Sequence, residues 1–561
     1  MTEPDSFTVT PLGGAQEVGR SCYHVALGDR TFLIDCGLRQ STPTTFPDFE
    51  ALAGPIDAVF LTHAHIDHIG GLPALEREGY LADDAPIICT QPTATLANTL
   101  LSDSLEIHKA NCDRDGRTQR FGEQDLEAVL DRFDTRKYGT GVFHSVQYQF
   151  GSAGHLLGSA WLALEHDRRR VVFSGDLGGR SGHLREIDTP PSADVLFLES
   201  TYGDQDTHPS FSGAQTTLWE EICAAVKRDL PVLLPTFATG RAQELLQLFT
   251  QRIRSQQAPP EILDKMEIVY DGMIEDSMQI YHAFVRNEWL ADNVVTYKTD
   301  HNDSKPFLPE QAWTPSQVAE RERLITDAAN GETVPIIVAP SGMFTGGWSP
   351  WYLWQLTEHC EMARVFITGF QAAYTPGRAL LEADEPTVEV EITGLMEPEQ
   401  ADDRMSNGYG IHRKSITVPR NWVGRIDGFS AHAARQGLLH FAREVDPASI
   451  HLIHGEPETI KSFRNYLQEN TTAMVSAATK GVSVPIDWAT TKSGLTSSET
   501  NGATEPQSSG AAADTAVQKL RSSEELSQFT GESNAFTDEQ EARIRELVRE
   551  ELVRLALGGT E

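Results

Sequence analysis

Residues 58–68 read Ala58-Val59-Phe60-Leu61-Thr62-His63-Ala64-His65-Ile66-Asp67-His68. The apolar run predicts a short strand, and three imidazoles and a carboxylate follow as it ends. Alternation turns His63 and His65 the same way, whereas Asp67 and His68 arrive after a turn and face a second ion. One short loop thereby serves two metals. Nitrogen and oxygen donors without cysteine suit two zinc ions, with Mn²⁺ or Fe²⁺ as substitutes, and suit a catalytic centre better than a closed thiolate site. The competing reading, a His-rich surface loop, is disfavoured because ligand types recur downstream.

Gly154-His155-Leu156-Leu157-Gly158 sets an imidazole on a Gly-flanked turn, and Ser174-Gly175-Asp176 sets a carboxylate after the strand-like run Val171-Val172-Phe173. Leu452-Ile453-His454-Gly455-Glu456 ends an apolar run on another imidazole, whereas His451, inside that run, reads as a core residue. His63, His65 and His155 are then expected to hold the first metal and Asp67, His68 and His454 the second, with Asp176 bridging. Paired cations lower the pKa of a coordinated water from about 15.7 to about 7 and neutralise charge on a displaced phosphate oxygen. Asp35, after Thr31-Phe32-Leu33-Ile34, reads as a residue that orients a ligand, with turn capping as its alternative. Gly428-Phe429-Ser430-Ala431-His432 places one more imidazole on a turn. Held by Glu199, which follows Val195-Leu196-Phe197-Leu198, His432 is the candidate general acid. The expected catalytic set is Asp67, Asp176, Glu199 and His432. The other histidines, His183 and His208 among them, read as structural or surface residues.

At 561 residues the chain exceeds one core, and its length suggests roughly three or four units of about 150 residues. Its formal charge is −35, from 46 basic and 81 acidic residues. Such an acidic surface suits high salt or a basic partner, and it fits a nucleic-acid enzyme only if the arginines gather in one cleft. The six cysteines are scattered without a CxxC pair, which excludes a thiolate zinc knuckle and a disulfide framework. The start MTEPDSFTVT lacks a basic and an apolar leader region, and no run of about 18 apolar residues occurs. The expectation is a soluble, cytoplasmic protein with no membrane contact.

Short strand-like runs separated by turns fill residues 1–203. Between 204 and 407 the rhythm becomes strand then helix, as in Val232-Leu233-Leu234 before a helical pattern from Arg241 to about Ile253. That pattern predicts a parallel α/β sheet inserted into the first domain. Strand-like runs near 415–427 and 450–453 suggest that the first domain resumes over 408–489. Residues 490–536 are a Ser/Thr/Gly-rich linker unable to bury a core. Residues 537–557 carry a capping box, Thr537-Asp538-Glu539-Gln540, and apolar residues at helical spacing, and so form an amphipathic helix. It docks in cis, joins a homodimer or enters an RNA-processing complex.

Residues 11–37 (PLGGAQEVGRSCYHVALGDRTFLIDCG), HAHIDH at 63–68, GHLLGSA at 154–160, SGDLG at 174–178, LESTYG at 198–203, PTFATGRAQELL at 235–246, FSAHA at 429–433 and LIHGE at 452–456 closely resemble the β-CASP nucleases of the metallo-β-lactamase fold. Within that family the chain looks most like the endonuclease subunit of the cleavage and polyadenylation specificity factor and its archaeal relatives. The resemblance implies an αββα metallo-β-lactamase sandwich with an inserted α/β β-CASP domain and RNA entering between them. It also implies two zinc ions on the residues assigned above, Glu199 paired with the His of FSAHA, and hydrolysis leaving a 5′-phosphate and a 3′-hydroxyl.

The expected activity is a zinc-dependent ribonuclease, endonucleolytic in RNA processing or 3′-end formation. A 5′→3′ exonuclease of the ribonuclease J kind is the alternative, and a non-catalytic scaffold and a small-molecule lactamase-type hydrolase are lesser ones. For phosphate contacts the candidates are Gly240 and Arg241 at a helix start, Ser341 and Gly342 after a strand, and Thr375 and Arg378 in Tyr374-Thr375-Pro376-Gly377-Arg378. Each has a plain alternative as a turn connector or a surface ion pair.

Overall fold

The computed structural model describes residues 7–39, 44–286, 288–301, 305–372, 374–396, 403–404 and 410–486. The expected linker and amphipathic helix beyond residue 489 lie outside them. Two seven-stranded sheets stand face to face, and the period-two pattern of their strands explains why. Phe7 and Val9, Tyr23 and Val25, Phe32 and Ile34 point inward from one sheet, and Tyr148 and Phe150, Leu162 and Leu164, Val171 and Phe173, Val195 and Phe197 point inward from the other. These rings and branched chains form one core between the layers. The outward set of the second sheet, with Trp161, Val172, Leu196, Leu198, Ile450 and Leu452, is covered by helices Arg435–Val445 and Pro457–Asn470 through Leu438, Phe441, Phe463 and Leu467. Helix Gln91–Asp115 packs along strands Ile87–Thr90 and Phe133–Arg136 of the first sheet. The arrangement is the expected αββα sandwich.

Each sheet is antiparallel at one side and parallel at the other. In the first, Arg30–Ile34, Ala58–Phe60, Ile87–Thr90 and Phe133–Arg136 run parallel. In the second, Arg169–Phe173, Val195–Glu199, Ser449–Ile453 and Met474–Ala477 do so. Asp35, His63, Asp176, Glu199 and His454 all sit at or just past the carboxyl ends of these parallel strands, where an α/β sheet opens its crevice. The antiparallel strands from Gly139–Phe143 to Ala160–His166 are absent from the sequence-based expectation. Gly139, Gly141 and Gly151 and the polar Gln147 and Gln149 interrupt the apolar runs of the first two of them.

A five-stranded parallel sheet in the order Met266–Tyr270, Val334–Ala339, Val232–Pro235, Arg364–Ile367, Val423–Arg425 forms the inserted unit. Here the expected boundary at 408 shifts. Strand Gly410–Pro419 pairs with Thr387–Met396, and Val423–Arg425 pairs with Arg364–Ile367. Residues 410–425 are therefore held by the hydrogen bonds of the insert, and the chain returns to the first domain after Arg425, where His432 bridges Gly178.

Candidate metal centre

The ligand types converge as two groups. His63, His65, His155 and Asp176 can place one donor atom each within 4.8 Å of the others, and Asp67, His68 and His454 do the same. Asp176 turns one oxygen to each: Oδ2 lies 3.6 Å from His63 Nε2 and 3.8 Å from His155 Nε2, and Oδ1 lies 3.5 Å from His68 Nε2 and 3.4 Å from His454 Nδ1. His65 caps the short helix Ile66–Ile69, which carries Asp67 and His68. That turn of helix is the turn expected from the spacing.

Hydrogen bonds at the far side of each ring select its tautomer. Thr62 Oγ1 gives its proton to Asp35 Oδ2 at 2.8 Å and so accepts from His63 Nδ1 at 3.1 Å. His155 Nδ1 donates to the Ala431 carbonyl at 3.0 Å, and His68 Nδ1 donates to Asp35 Oδ2 at 2.7 Å. Each ring therefore keeps its Nδ1 proton outward and turns Nε2 toward the cradle. His63 Nε2 and His155 Nε2 each lie 3.1 Å from His65 Nδ1. One proton on His65 could satisfy only one of those contacts, whereas a cation satisfies all three nitrogens. The spacing is close to the edge of roughly 3.3 Å that a tetrahedron with metal–nitrogen bonds of about 2.0–2.1 Å requires. Asp176 Oδ1, buried and without a hydrogen-bond partner, is a further donor awaiting a cation. The donor set fits two divalent ions.

The electrostatics of the two groups differ. Burial and neighbouring imidazoles hold His63 and His155 well below the ordinary histidine range, and burial brings His65 down to about 4. These rings are neutral and able to ligate a cation. Burial also disfavours charge on His68 and His454, but Asp176, with Asp35 and Asp67, outweighs it and raises both. Asp67 and Asp176 are pulled low against their own burial, chiefly by His68 and His454. In the second group, protons occupy the positions of a cation.

Beside the cradle, His432 Nδ1 donates to Glu199 Oε1 at 3.1 Å, and its Nε2 lies 3.9 Å from Asp176 Oδ2. Glu199 is fully buried and also accepts from Leu177 N and Thr201 N, both at 3.0 Å. Burial works against an imidazolium here, yet Glu199 and Asp176 push His432 up to about 9. The pair expected from residues 199 and 432 is in contact.

Close packing holds the loops. A Cβ on Gly37 would meet the Asp67 carbonyl oxygen at 1.6 Å, and one on Gly178 would meet Gly154 O at 1.9 Å. Backbone bonds from His454 N to Gly14 O and Gly455 N to Glu17 O brace the last ligand against the N-terminal Gly-rich turn. Asp35 and His454 hold φ values of 58° and 48°, a left-handed backbone sustained by these contacts. Sequence reasoning passed over several participants. Thr201 Oγ1 lies 3.2 Å from His454 Nδ1, and His208 Nε2 donates to the His432 carbonyl at 2.9 Å while its ring packs on Tyr202. Its place within the ESTYG motif could have flagged Thr201. Nothing local marks His208. His451, expected as a buried core residue, is half-buried and stacks on Phe197.

Comparison with known proteins bears on this geometry. Residues 15–235 match the metallo-beta-lactamase superfamily, residues 242–380 the Beta-Casp domain, and residues 417–478 the Zn-dependent metallo-hydrolase RNA specificity domain. The chain is 31% identical over 493 residues to ribonuclease TTHA0252 of Thermus thermophilus, covering 85% of this chain and all of that one. It belongs to the β-CASP family of metallo-β-lactamase-fold nucleases. Identity to the transcription termination factor FttA of Methanocaldococcus jannaschii is 32% over 469 residues, covering 81% of this chain and 68% of the relative. An RNase J-like protein of the same organism is 28% identical over 480 residues, covering 84% and 98%.

Within the β-CASP insert, the candidate phosphate contacts fall at the carboxyl ends of the parallel strands. Gly240 caps helix Arg241–Arg254, but its N–H is taken by Gln243 Oε1 at 2.6 Å. The Arg241 guanidinium is buried and lies 5.7 Å from the Phe429 ring. Ser341 Oγ accepts from Thr345 N, and Gly342 O accepts from Gln371 Nε2. Thr375 Oγ1 accepts from Arg378 N, and the half-exposed Arg378 pairs with Glu382. Glu244 of the same GRAQE run accepts from Gly182 N at 2.8 Å, tying the insert to the loop that follows SGDLG. Among the described residues no helix is long and apolar enough to cross a membrane.

Proposed function

We propose that this chain is a divalent-metal ribonuclease that hydrolyses RNA phosphodiesters endonucleolytically, with zinc as its metal. Membership of a metal-dependent hydrolase family supports the reaction class. The observation that carries the assignment of roles is the placement of His432 Nε2 beside Asp176 at the edge of the cradle, with Glu199 fixed behind it.

Two divalent ions held there would supply Lewis acidity, lowering the pKa of a bound water and neutralising charge on the phosphate. The remaining work falls to side chains. His63, His65 and His155 would hold one ion and Asp67, His68 and His454 the other, with Asp176 turning one oxygen to each group. Asp35 and Thr62 keep His68 and His63 in the ligating tautomer. Glu199 anchors His432 through Nδ1, so the Nε2 proton is directed toward the leaving oxygen, which general acid transfer requires. Gly240, Arg241, Ser341, Gly342, Thr375 and Arg378 line the approach of the phosphate backbone.

A second reading, 5′→3′ exonuclease action, is favoured by likeness to an RNase J-like protein along nearly its whole length. Digestion of circular, 5′-blocked and linear 5′-phosphate RNA with defined metal separates the two. Cleavage of the circle supports the endonuclease, and cleavage of the 5′-phosphate RNA alone supports the exonuclease. Full RNA cleavage by both Asp67→Ala and His68→Ala, or in excess chelator, would sink both.

A further inference from the structure

Among the described residues, the large aromatic side chains most exposed to solvent are Phe237 at 43%, Phe370 at 37% and Tyr374 at 104%. All three follow neighbouring strands of the inserted sheet. Phe237 follows strand Val232–Pro235, and Phe370 and Tyr374 follow its parallel neighbour Arg364–Ile367. The next strand outward, Val423–Arg425, runs parallel to Arg364–Ile367, and its carboxyl end leads straight into the turn bearing His432. The aromatic loops therefore border the catalytic turn.

Ring contacts trace the same line. Phe370 meets Tyr202 edge to face at 6.2 Å, and the Tyr202 ring lies 6.3 Å from that of His432. The loops are also joined to one another. Gln371 Nε2 donates to Gly342 O at 2.9 Å, and a Cβ on Gly342 would lie 3.3 Å from Phe237 N. Cationic groups stand among these rings on an otherwise acidic chain. Arg425 ends strand Val423–Arg425 and pairs with Asp427, Arg378 lies in the first turn of helix Pro376–Glu382 and pairs with Glu382, both substantially exposed, and the Arg241 guanidinium lies 5.7 Å from the Phe429 ring. Exposed aromatic faces interleaved with guanidinium groups are what unpaired bases and their phosphates require, whereas duplex bases have their faces occupied.

We propose that Phe237, Phe370 and Tyr374 form a stacking platform for unpaired bases next to the scissile phosphate and so select single-stranded substrate. The inference rests on the ribonuclease reading above. Phe370 is the central positioning residue, because its ring is the one connected through Tyr202 to His432.

The test measures kcat/KM of the full metal-loaded chain on a single-stranded oligoribonucleotide, and on the same strand with an abasic ribose at each position beside the cut. Phe370→Ala and Phe237→Ala are expected to lower kcat/KM on the intact strand roughly 5- to 150-fold, mainly through KM, the equivalent of one stacked base. They should have little further effect on the strand whose stacking base is missing. Phe370→Trp restores the intact-strand value and Phe370→Leu does not. A 2-aminopurine at the stacking position should be quenched on binding wild type and not on binding Phe370→Leu. Alanine variants within twofold of wild type, or an equal loss on intact and abasic strands, overturn the platform while leaving the ribonuclease reading intact. Wild-type protein that cleaves no RNA overturns both.

Discussion

The metal cradle and the open edge of the inserted sheet are both built from the carboxyl ends of parallel strands, yet they are finished in opposite ways. In the cradle most rings and carboxylates are buried, and Asp35 is held from behind by Thr62, His155 by Ala431 and Glu199 by Leu177 and Thr201. At the insert edge the side chains are aromatic, exposed, and bound to nothing firmer than a neighbouring loop. Chemistry that must place donors to within a fraction of an ångström needs the first finish. Contact with a long flexible strand of varying sequence needs the second.

Breaking the cradle has the largest expected effect. Asp176→Ala removes the carboxylate that faces both groups, and RNA cleavage should fall to the level seen with chelator, with fewer than two bound ions per chain by elemental analysis. Retained activity with two ions would mean that Asp176 does not join the groups.

The acid–base pair comes next. His432→Gln or Glu199→Gln should leave metal content unchanged and lower kcat about 10²- to 10⁴-fold. The same pair gives a pH signature in metal-free protein, where NMR of labelled histidine should show His432 titrating near 9 and moving toward the ordinary value of about 6.5 in Glu199→Gln. Because the folded value is raised, the stability from this contact is present below pH about 6.5 and is lost as pH rises through about 9. Equal titration in the two proteins would remove Glu199 from its assigned role.

Asp35→Asn tests the group behind a ligand. It should weaken metal binding about 10- to 100-fold, measured by competition with a chromophoric chelator, and excess metal should recover activity. The smallest effect belongs to the insert edge. Arg378→Ala loses a half-exposed pair with Glu382, so thermal stability should shift by no more than about 1 kcal/mol. KM for RNA should rise a few-fold if Arg378 meets a phosphate. An unchanged KM would assign Arg378 to its helix alone.

Local spacing made HAHIDH legible, because alternation and one turn are properties of a few consecutive residues. His155, Asp176 and His454 were legible for the same reason, each standing where an apolar run or a Gly turn ends. The inserted sheet was readable from strand and helix rhythm, but its last strands were not. Residues 410–425 look like a continuation of the first domain, and only hydrogen bonding to Thr387–Met396 and Arg364–Ile367 assigns them to the insert.

Residue identity by itself therefore determined which groups can bind a cation or move a proton and which strand ends present them. Tertiary structure decided which of them meet. Glu199 and His432 are 233 positions apart, and the Ala431 carbonyl that sets the tautomer of His155 carries no side-chain signal at all. Phe237 and Phe370 read as ordinary apolar residues until neighbouring parallel strands bring their loops together. Periodicity reports the face on which a residue lies, but a contact between distant segments depends on how whole sheets stack and on which strand lies beside which.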